Sequence, residues 1–176
     1  KRSPRLGGLK MAVNLSGRQL LSQNDFAEVV NEIVQAHEVL PWSLEFEITE
    51  SVLMTNAKKA IDRLAQLKKL GVKLSIDDFG TGYSSLSYLR RFPVDVLKID
   101  RAFVTGLGSS REDSAIVHLI ITLAKALGLE TVAEGVETLE QLNELKSLGC
   151  DQIQGFYVAR PLDAREATLF LEKSFN

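Results

Sequence analysis

The sequence has little of several features that would mark a particular class of protein. It contains one cysteine, Cys150, so it cannot form an internal disulfide, which suits a reducing cytosol. No apolar run approaches the roughly 18 residues that a membrane span requires, and no signal peptide is visible. We therefore expect a cytoplasmic domain that makes no membrane contact, although a parent protein could still be tethered to a membrane.

An excess of charge of either sign is also missing. The chain has 21 basic and 23 acidic residues, which gives a net charge of −2. So close a balance provides no overall field that would attract nucleic acid, and we expect no DNA partner. Any phosphate binding must then depend on a local arrangement of charges.

Six short apolar segments alternate with longer helical patterns along the chain. They lie at residues 9–15, 44–49, 72–77, 94–100, 129–134 and 152–158. Each is rich in valine, isoleucine, leucine or phenylalanine and has the length of a strand. The pattern therefore predicts six strand–helix units in succession.

The segments between these strands carry the signals of helices and of helix ends. Gly71, Gly128 and Gly149 each follow a helical pattern, at the position where a left-handed residue commonly ends a helix. One helix is predicted by an apolar stripe at spacings of three and four residues. The stripe consists of Ile116, Leu119, Ile120, Leu123 and Leu127.

Successive strand–helix units predict a parallel sheet with right-handed crossovers. Such a sheet is either open and doubly wound or closed as a (β/α)8 barrel of the TIM type. No glycine-rich loop follows the first strand, which argues against the dinucleotide-binding open sheet. A barrel has eight units in about 250 residues. We therefore expect an α/β barrel with about six of its eight units in this chain. Because the chain begins without an initiator methionine, we expect the other two before residue 1.

Polar side chains collect at the C-terminal ends of the predicted strands. A single acid there is usually a helix cap or a solvated loop residue, and Glu50 would fit that description. Several carboxylates at one barrel mouth, however, would repel one another unless cations joined them. Hard oxygen donors favour Mg²⁺ or Mn²⁺, so the pattern predicts a shared metal or phosphate site. The residues are Asn14, Glu47, Asp77, Asp78, Lys98, Asp100, Glu134 and Gln154.

Six ordered motifs resemble those of EAL-domain phosphodiesterases. They are AVNLS at 12–16, EITE at 47–50, DDFGTGYSSL at 77–86, LKID at 97–100, EGVET at 134–138 and QGF at 154–156. The resemblance implies an enzyme that hydrolyses the bacterial second messenger cyclic di-GMP to linear pGpG. The Glu-Ala-Leu tripeptide that names the family, whose Glu is a metal ligand, does not occur here. The resemblance thus implies that residues 1–176 form one EAL domain that is incomplete at its N-terminus.

The resemblance also implies a role for each polar strand end. Two metal ions, Mg²⁺ or Mn²⁺, would be held by Asn14, Glu47, Asp77, Asp78 and Glu134. The catalytic residues around the attacking water would be Glu134, Lys98 and Gln154. The substrate would be contacted by Asp100, Arg160 and Pro161.

The loop after the paired aspartates resembles the family's switch loop, which links metal binding to dimerisation. Gly80 and Gly82 allow backbone angles that other residues resist, although an ordinary strand-to-helix turn would also use them. The family further implies a homodimer and an upstream sensory or diguanylate-cyclase module in the parent protein. The loop residues are Phe79, Gly80, Thr81, Gly82, Tyr83 and Ser84, with Glu50 as the anchor.

Two other functions fit parts of the pattern. A catalytically inactive relative would bind cyclic di-GMP as a receptor and pass a signal to a partner. Such receptors usually lack metal ligands, and every ligand position visible here is filled, which favours catalysis. Another two-metal barrel hydrolase, suggested by fold analogy alone, would not account for residues 77–86. An upstream Glu-Ala-Leu motif would favour hydrolysis, and a substituted Glu would favour the receptor.

Overall fold

A single parallel sheet forms the centre of the structure, a computed structural model that describes residues 8–22, 25–82 and 86–174. Its strands are β1 (Met11–Asn14), β2 (Leu44–Thr49), β3 (Lys73–Phe79), β4 (Val96–Ile99), β5 (Glu130–Ala133) and β6 (Gln152–Ile153). They are neighbours in the order of the chain. A doubly wound sheet reverses its strand order at a switch point, whereas a barrel does not. The sheet is therefore the wall of a half-barrel, as predicted.

Helices connect the strands and cover the outer face of the sheet. They are α1 (Gly17–Leu20), α2 (Phe26–Ala36), α3 (Glu50–Thr55), α4 (Ala57–Lys69), α5 (Leu86–Leu89), α6 (Arg101–Thr105), α7 (Arg111–Leu127), α8 (Leu139–Leu148) and α9 (Ala164–Ser174), with a 3₁₀ turn at Pro41–Ser43. Gly71, Gly128 and Gly149 have φ angles of 86°, 72° and 77°, which confirms the predicted left-handed helix ends. Within the described ranges, no helix is both long and apolar enough to cross a bilayer.

The core lies between the outer face of the sheet and the helices. Alternate residues of the middle strands point into it and are almost fully buried: Phe46, Ile48, Leu74, Ile76, Leu97 and Ile99. The residues between them point to the inner face, which is polar. There Lys73 Nζ contacts Glu130 Oε1 at 2.9 Å and Lys10 Nζ lies 4.0 Å from Glu130 Oε2. The strand ends therefore present polar side chains to the interior of the half-barrel.

Helix α7 packs on the core with four of the five residues of the predicted stripe, since Ile120 is buried and Ile116, Leu123 and Leu127 are partly buried against it. Leu119 is 69% exposed, although the apolar spacing placed it in the core. The reason is that α7 is apolar over more than one face, so its spacing is compatible with two neighbouring stripes. The residues that pack against the sheet are Val117, Ile120, Ile121 and Ala124.

The two outermost strands are shorter than predicted. Strand β6 ends at Ile153 because the chain turns back at Gly155, where Val158 N donates to the Gly155 carbonyl at 3.0 Å. A Cβ at position 155 would lie 2.2 Å from the Val136 carbonyl oxygen, so only glycine fits this approach. At the opposite edge, all four residues of β1 are exposed, including Met11 at 65%.

Candidate active site

Lys98 lies at the centre of the polar mouth and is held by three carboxylates. Its side chain comes from β4 and is 4% exposed. The ammonium nitrogen lies 2.7 Å from Glu47 Oε1, 3.0 Å from Asp77 Oδ1 and 2.6 Å from Glu134 Oε1. These acids come from β2, β3 and the residue after β5. The Lys98 ammonium therefore joins three acids from the strands on both sides of β4. Its positive charge offsets the repulsion between these acids.

The environment of Lys98 keeps its ammonium charged. Burial alone would lower the pKa of Lys98, but its hydrogen bonds to Glu134 and Glu47 outweigh burial and raise the pKa above its usual value. Lys98 is therefore protonated across the physiological pH range. Its positive charge is thus a constant feature of the mouth in the absence of a metal ion.

Asp78 joins this cluster through an irregularity in β3. Neighbouring residues of a regular strand point to opposite faces, so Asp77 and Asp78 would not both face the mouth. The register of β3 against β4 shifts between Ile76 and Phe79, and Asp78 has a φ of 53°. This bulge brings carboxylate oxygens of Asp77, Asp78 and Glu134 within 4.8 Å of one another.

Two of the clustered acids are less acidic than usual. Burial raises the pKa of Glu134, and the charges of Asp77 and Glu47 add to the rise while the hydrogen bond to Lys98 opposes it. Burial also raises the pKa of Asp78, with further contributions from Asp77 and from a hydrogen bond to Asp100. Four carboxylates, those of Glu47, Asp77, Asp78 and Glu134, stand around the single ammonium of Lys98.

The donor set fits a divalent cation. Ligand oxygens around a six-coordinate Mg²⁺, with bonds of about 2.1 Å, lie roughly 3 to 4.2 Å apart. The limit of 4.8 Å for Asp77, Asp78 and Glu134 is close to that range. Asn14 ends β1 in register with Glu47, at the same edge of the sheet. All of these donors are hard oxygens, which Mg²⁺ and Mn²⁺ prefer.

Of the other residues predicted for the site, Asp100 and Gln154 lie beside the cluster, whereas Arg160 and Pro161 make no described contact with it. Asp100 caps α6, with its Oδ1 accepting from Ala102 N at 2.7 Å, and it also contacts Asp78. Gln154 follows β6 and lines a cavity that also includes Glu134. Arg160 instead lies over the Phe156 ring, 4.7 Å from its centroid. Both Arg160 and Pro161 are exposed, and no described contact joins them to the carboxylates.

Glu50 anchors the start of the loop after β3. It is 2% exposed, and its Oε2 accepts from Gly80 N at 2.9 Å. Gly80 has a φ of 99°, as the sequence predicted. At Gly82 a Cβ would lie 3.0 Å from Glu50 Oε1, so a side chain there would crowd the Glu50 carboxylate.

The described part of the loop extends to residue 82. Phe79 is the buried last residue of β3, and the Thr81 hydroxyl donates to the Asp78 carbonyl at 2.9 Å. Thr81 thus ties the loop to the bulged aspartate. Tyr83 and Ser84 lie outside the described residues.

Residues 1–161 match the protein family described as the EAL domain. This chain belongs to the EAL domain family. The resemblance read from the six motifs is thereby confirmed, and the half-barrel belongs to the TIM-type barrel of these domains.

Named relatives and solved structures agree with this EAL domain assignment. The bifunctional diguanylate cyclase/cyclic di-GMP phosphodiesterase MucR of Pseudomonas aeruginosa is 46% identical over 89% of this chain and 23% of its own length. The solved EAL domain of Mycobacterium smegmatis DcpA is 43% identical, with a TM-score of 0.87, over 93% of this chain and 73% of that one. The manganese and cyclic di-GMP complex of Klebsiella pneumoniae BlrP1 is 37% identical, with a TM-score of 0.82, over 89% of this chain and 40% of the BlrP1 chain.

The chain spans about a fifth of the length of the curated relatives that it matches, such as 22% and 23% of the first two. These relatives are therefore much longer proteins, in which an EAL domain is one part. What they bind and catalyse as whole proteins is a property of those longer chains.

One pair at the mouth of this EAL domain joins Glu137, which the EGVET motif suggested to be structural, to Arg101, which had no role from the sequence. Arg101 Nη2 contacts Glu137 Oε1 at 2.9 Å, and both residues line the cavity beside Glu134. In the sequence, Arg101 directly follows the strand-end acid Asp100, and Glu137 lies three residues after Glu134. Their contact joins α6 to the turn before α8, a pairing between distant segments that no local pattern encodes.

Proposed function

We propose that this protein is a metal-dependent phosphodiesterase that hydrolyses cyclic di-GMP to linear pGpG in bacterial signalling. The observation that carries the proposal is the cluster in which Lys98 joins Glu47, Asp77 and Glu134 at the mouth of an EAL domain. Two relatives support it. MucR is named a cyclic di-GMP phosphodiesterase, and BlrP1 was solved with manganese and cyclic di-GMP.

The carboxylate cluster and its neighbour on β1 would hold two divalent cations, Mg²⁺ or Mn²⁺. When bound, a pair of such cations lowers the pKa of water and stabilises negative charge on phosphate oxygens. The carboxylate oxygens within 4.8 Å of one another support this assignment. The proposed ligands are Asn14, Glu47, Asp77, Asp78 and Glu134.

Three side chains of the chain would carry the catalytic roles. Glu134, with its raised pKa, is suited to hold the attacking water and to take up its proton. Lys98 places a fixed positive charge beside the charge that develops on the phosphate. Gln154 orients the water from the other wall of the cavity. The water oxygen bonds to phosphorus as one P–O3′ bond breaks, and the 3′ oxygen gains a proton, which leaves pGpG.

The substrate would extend from the cluster across the neighbouring loops. Asp100 stands next to Asp78 and would contact the nucleotide close to the reacting phosphate. Arg160 and Pro161 would border the substrate farther out, where the exposed guanidinium of Arg160 is available to an anionic or planar group. Glu50 would hold the switch loop, residues 79–84, in the arrangement that the metal site needs.

The natural protein would contain more than this chain. We propose that a further N-terminal segment with two strand–helix units and the Glu of a Glu-Ala-Leu motif completes the barrel. The exposed β1 supports this, as does the solved DcpA EAL domain, 73% of which this chain covers. We further propose a cytoplasmic location, a homodimer and an upstream sensory or diguanylate-cyclase module, for which the bifunctional MucR is a precedent.

The proposal is tested by incubating the natural full-length protein with cyclic di-GMP and either Mn²⁺, Mg²⁺ or a chelator. We expect pGpG as the product with either metal and no turnover with the chelator. Glu134→Ala should lower the rate by at least about 10²-fold while the nucleotide still binds. Tight binding of intact cyclic di-GMP by the unmodified protein, without turnover in any metal, would instead identify a receptor.

A further inference from the structure

A cavity of about 200 Å³ opens beside the carboxylate cluster, and its wall includes a residue pair outside the proposed machinery. Glu134 belongs to both the cluster and the cavity wall. Arg101 and Glu137 form the part of the wall that lies between α6 and α8. Contacts that fix Arg101 and Glu137 in this wall therefore also affect the position of the neighbouring Glu134 carboxylate.

Both described contacts of the Arg101 side chain are made to the turn that follows Glu134. Its aliphatic stem lies against the backbone of Gly135, since a Cβ at position 135 would be 2.3 Å from Arg101 Cγ. Its guanidinium contacts Glu137 Oε1 at 2.9 Å. Arg101 therefore spans residues 135–137 from the side of the turn that faces α6.

The turn at residues 134–138 is held in place through two of its own backbone amides. Val136 N donates to the Gln154 carbonyl at 3.0 Å, and Glu137 N donates to Gln141 Oε1 at 2.8 Å. Gln141 is 7% exposed and takes part in the capping box of α8. Gly135, with a φ of 69°, is the residue between Glu134 and these fixed amides. Glu134 itself is held from the sheet side, since its N donates to the Ile99 carbonyl at 3.1 Å and its Oε1 contacts Lys98, so Gly135 joins two fixed stretches of the chain.

Arg101 is itself fixed to the opposite side of the cluster. It is the first residue of α6, directly after Asp100, whose carboxylate caps that helix and contacts Asp78. The Arg101–Glu137 pair thus connects the Asp78 side of the mouth to the Glu134 side. Its charges are exposed, so the pair adds little to global stability, and its value must be local.

We propose that Arg101 is a positioning residue. Paired with Glu137, it fixes the turn at residues 134–138 and so holds the Glu134 carboxylate among the other acids of the cluster. The inference rests on the proposed function only in the assumption that Glu134 is the acid that acts. Residues that orient metal ligands from behind typically change metal affinity or activity by about 10- to 100-fold when they are replaced.

The test compares Arg101→Gln, Glu137→Gln, the double variant and Arg101→Lys in the natural full-length protein. Arg111→Gln, which removes an exposed arginine at the start of α7, is the matched control. Four quantities are measured. They are amide hydrogen exchange of residues 134–138 in the metal-free protein, Mn²⁺ affinity by calorimetry, and kcat and KM for cyclic di-GMP.

We expect both single Gln variants to exchange the amides of residues 136 and 137 several-fold faster than the unmodified protein. Mn²⁺ affinity and kcat should each fall by about 10-fold, with KM unchanged and without a lower unfolding temperature. The double variant should lose no more than either single variant, since one interaction is removed in all three. Arg101→Lys should recover part of the loss, and Arg111→Gln should lose nothing.

Unchanged exchange and Mn²⁺ affinity in Arg101→Gln would overturn the inference. So would a rise in KM at constant kcat, because Arg101 would then contact the substrate directly. Additive losses in the double variant would show that the two residues act separately and would also contradict it. If the unmodified protein hydrolysed no cyclic di-GMP, the proposed function would fail, but exchange and Mn²⁺ affinity would still decide the role of Arg101.

Discussion

Lys98 occupies the space between acids that a metal ion would have to share. Its ammonium contacts Glu47, Asp77 and Glu134, and two of these also stand in the group suited to a cation. Under the proposed assignment, the lysine would compete with a metal ion for the same oxygens, and it holds the acids together when no metal is bound. Lys98 should then weaken metal binding but increase the rate of turnover.

Replacing Lys98 with methionine separates these two contributions. We expect Lys98→Met to bind Mn²⁺ at least as tightly as the unmodified protein, because a competing cation has been removed. Turnover should nevertheless fall by about 10²- to 10³-fold, the usual effect of losing one group that stabilises transition-state charge. Calorimetry and steady-state kinetics on the full-length protein measure the two quantities. Lys73→Met, at the other end of the inner face, is the control. A parallel loss of Mn²⁺ affinity would contradict this role.

The raised pKa values of Glu134 and Asp78 give metal binding a particular pH dependence. Carboxylates bind metal only when deprotonated, so protons and Mn²⁺ compete for the cluster. Because these pKa values lie above the ordinary ones, Mn²⁺ affinity should begin to fall at a higher pH than for an unperturbed carboxylate site. Calorimetric titrations from neutral to mildly acidic pH measure this fall. Glu134→Gln should bind more weakly but with a shallower pH dependence, and an identical slope would contradict the assignment.

Most residues of the cluster could be predicted from the sequence, because the C-terminal ends of parallel strands lie together at one mouth of a barrel. Strand pattern and residue type sufficed for Lys98 and Glu134. The orientation of Asp78 could not be derived in the same way, because alternation along a strand places it opposite Asp77 and only the bulge turns it inward. The contact between Arg101 and Glu137 depends on how α6 and α8 pack, which residue spacing does not encode.

Among the elements, the loop after β3 depends on one buried acid. Glu50 accepts from Gly80 N, two residues beyond the strained Asp78, and Thr81 bonds back to the Asp78 carbonyl. We expect Glu50→Ala to weaken Mn²⁺ binding by about 10-fold or more without unfolding the domain, because the bulge loses its anchor. Glu50→Gln, which keeps an acceptor oxygen, should lose less. Calorimetry and circular dichroism measure binding and folding, and unchanged affinity in Glu50→Ala would refute this coupling.

At the opposite end of the strands, two aspartates clamp neighbouring elements in the same way. Asp95 precedes β4 and accepts from Leu74 N in β3 at 2.9 Å, and Asp151 precedes β6 and accepts from Thr131 N in β5 at 2.8 Å. Thr131 is fully buried, and its hydroxyl donates to the same Asp151 oxygen. Each clamp thus satisfies a strand amide that its own ladder leaves free.

Removing one clamp should cost stability and leave the mouth intact. We expect Asp151→Ala to lower the free energy of unfolding by about 1 to 3 kcal/mol, since the amide and hydroxyl of Thr131 lose their acceptor. Urea unfolding of the full-length protein measures the change, with Asp62→Ala on the exposed face of α4 as control. Equal stability of both variants would contradict the clamp.

The elements themselves were predictable to different degrees. Strands β2 and β3 were located to within two residues because apolar and polar residues alternate in both segments and helical patterns flank them. Strand β6 was predicted to be too long, because apolar residues 156–158 continue past a turn that the close approach of Gly155 to Val136 imposes. Within α7 the prediction was wrong for Leu119, which is exposed, because that helix has apolar residues on several faces.

At the scale of the whole molecule, both outer strands of the half-barrel leave apolar surface exposed. On one side these residues include Met11 at 65% and Val13 at 41%, and on the other, just after β6, Phe156 at 45% and Tyr157 at 41%. In the longer DcpA EAL domain, 73% of the chain corresponds to this one. Exposed apolar patches of this kind usually mark surfaces that another segment covers.

Residues 1–176 alone should therefore behave differently from the natural full-length protein. We expect the isolated segment to bind a hydrophobic dye such as ANS and to hydrolyse little or no cyclic di-GMP, because the proposed further ligand and two barrel units are missing. Dye fluorescence and product chromatography measure the two properties. A turnover rate equal to that of the full-length protein would contradict the proposed completion of the barrel.

The central claim is that the acids around Lys98 direct water onto a phosphodiester bond of cyclic di-GMP. Hydrolysis by the full-length protein with Mn²⁺ in ¹⁸O-enriched water, followed by mass spectrometry of the nucleotide, tests it most directly. The account predicts pGpG with one ¹⁸O atom in its 5′-phosphate, and loss of that product in Glu134→Ala. Recovery of intact, unlabelled cyclic di-GMP after saturating binding would contradict it.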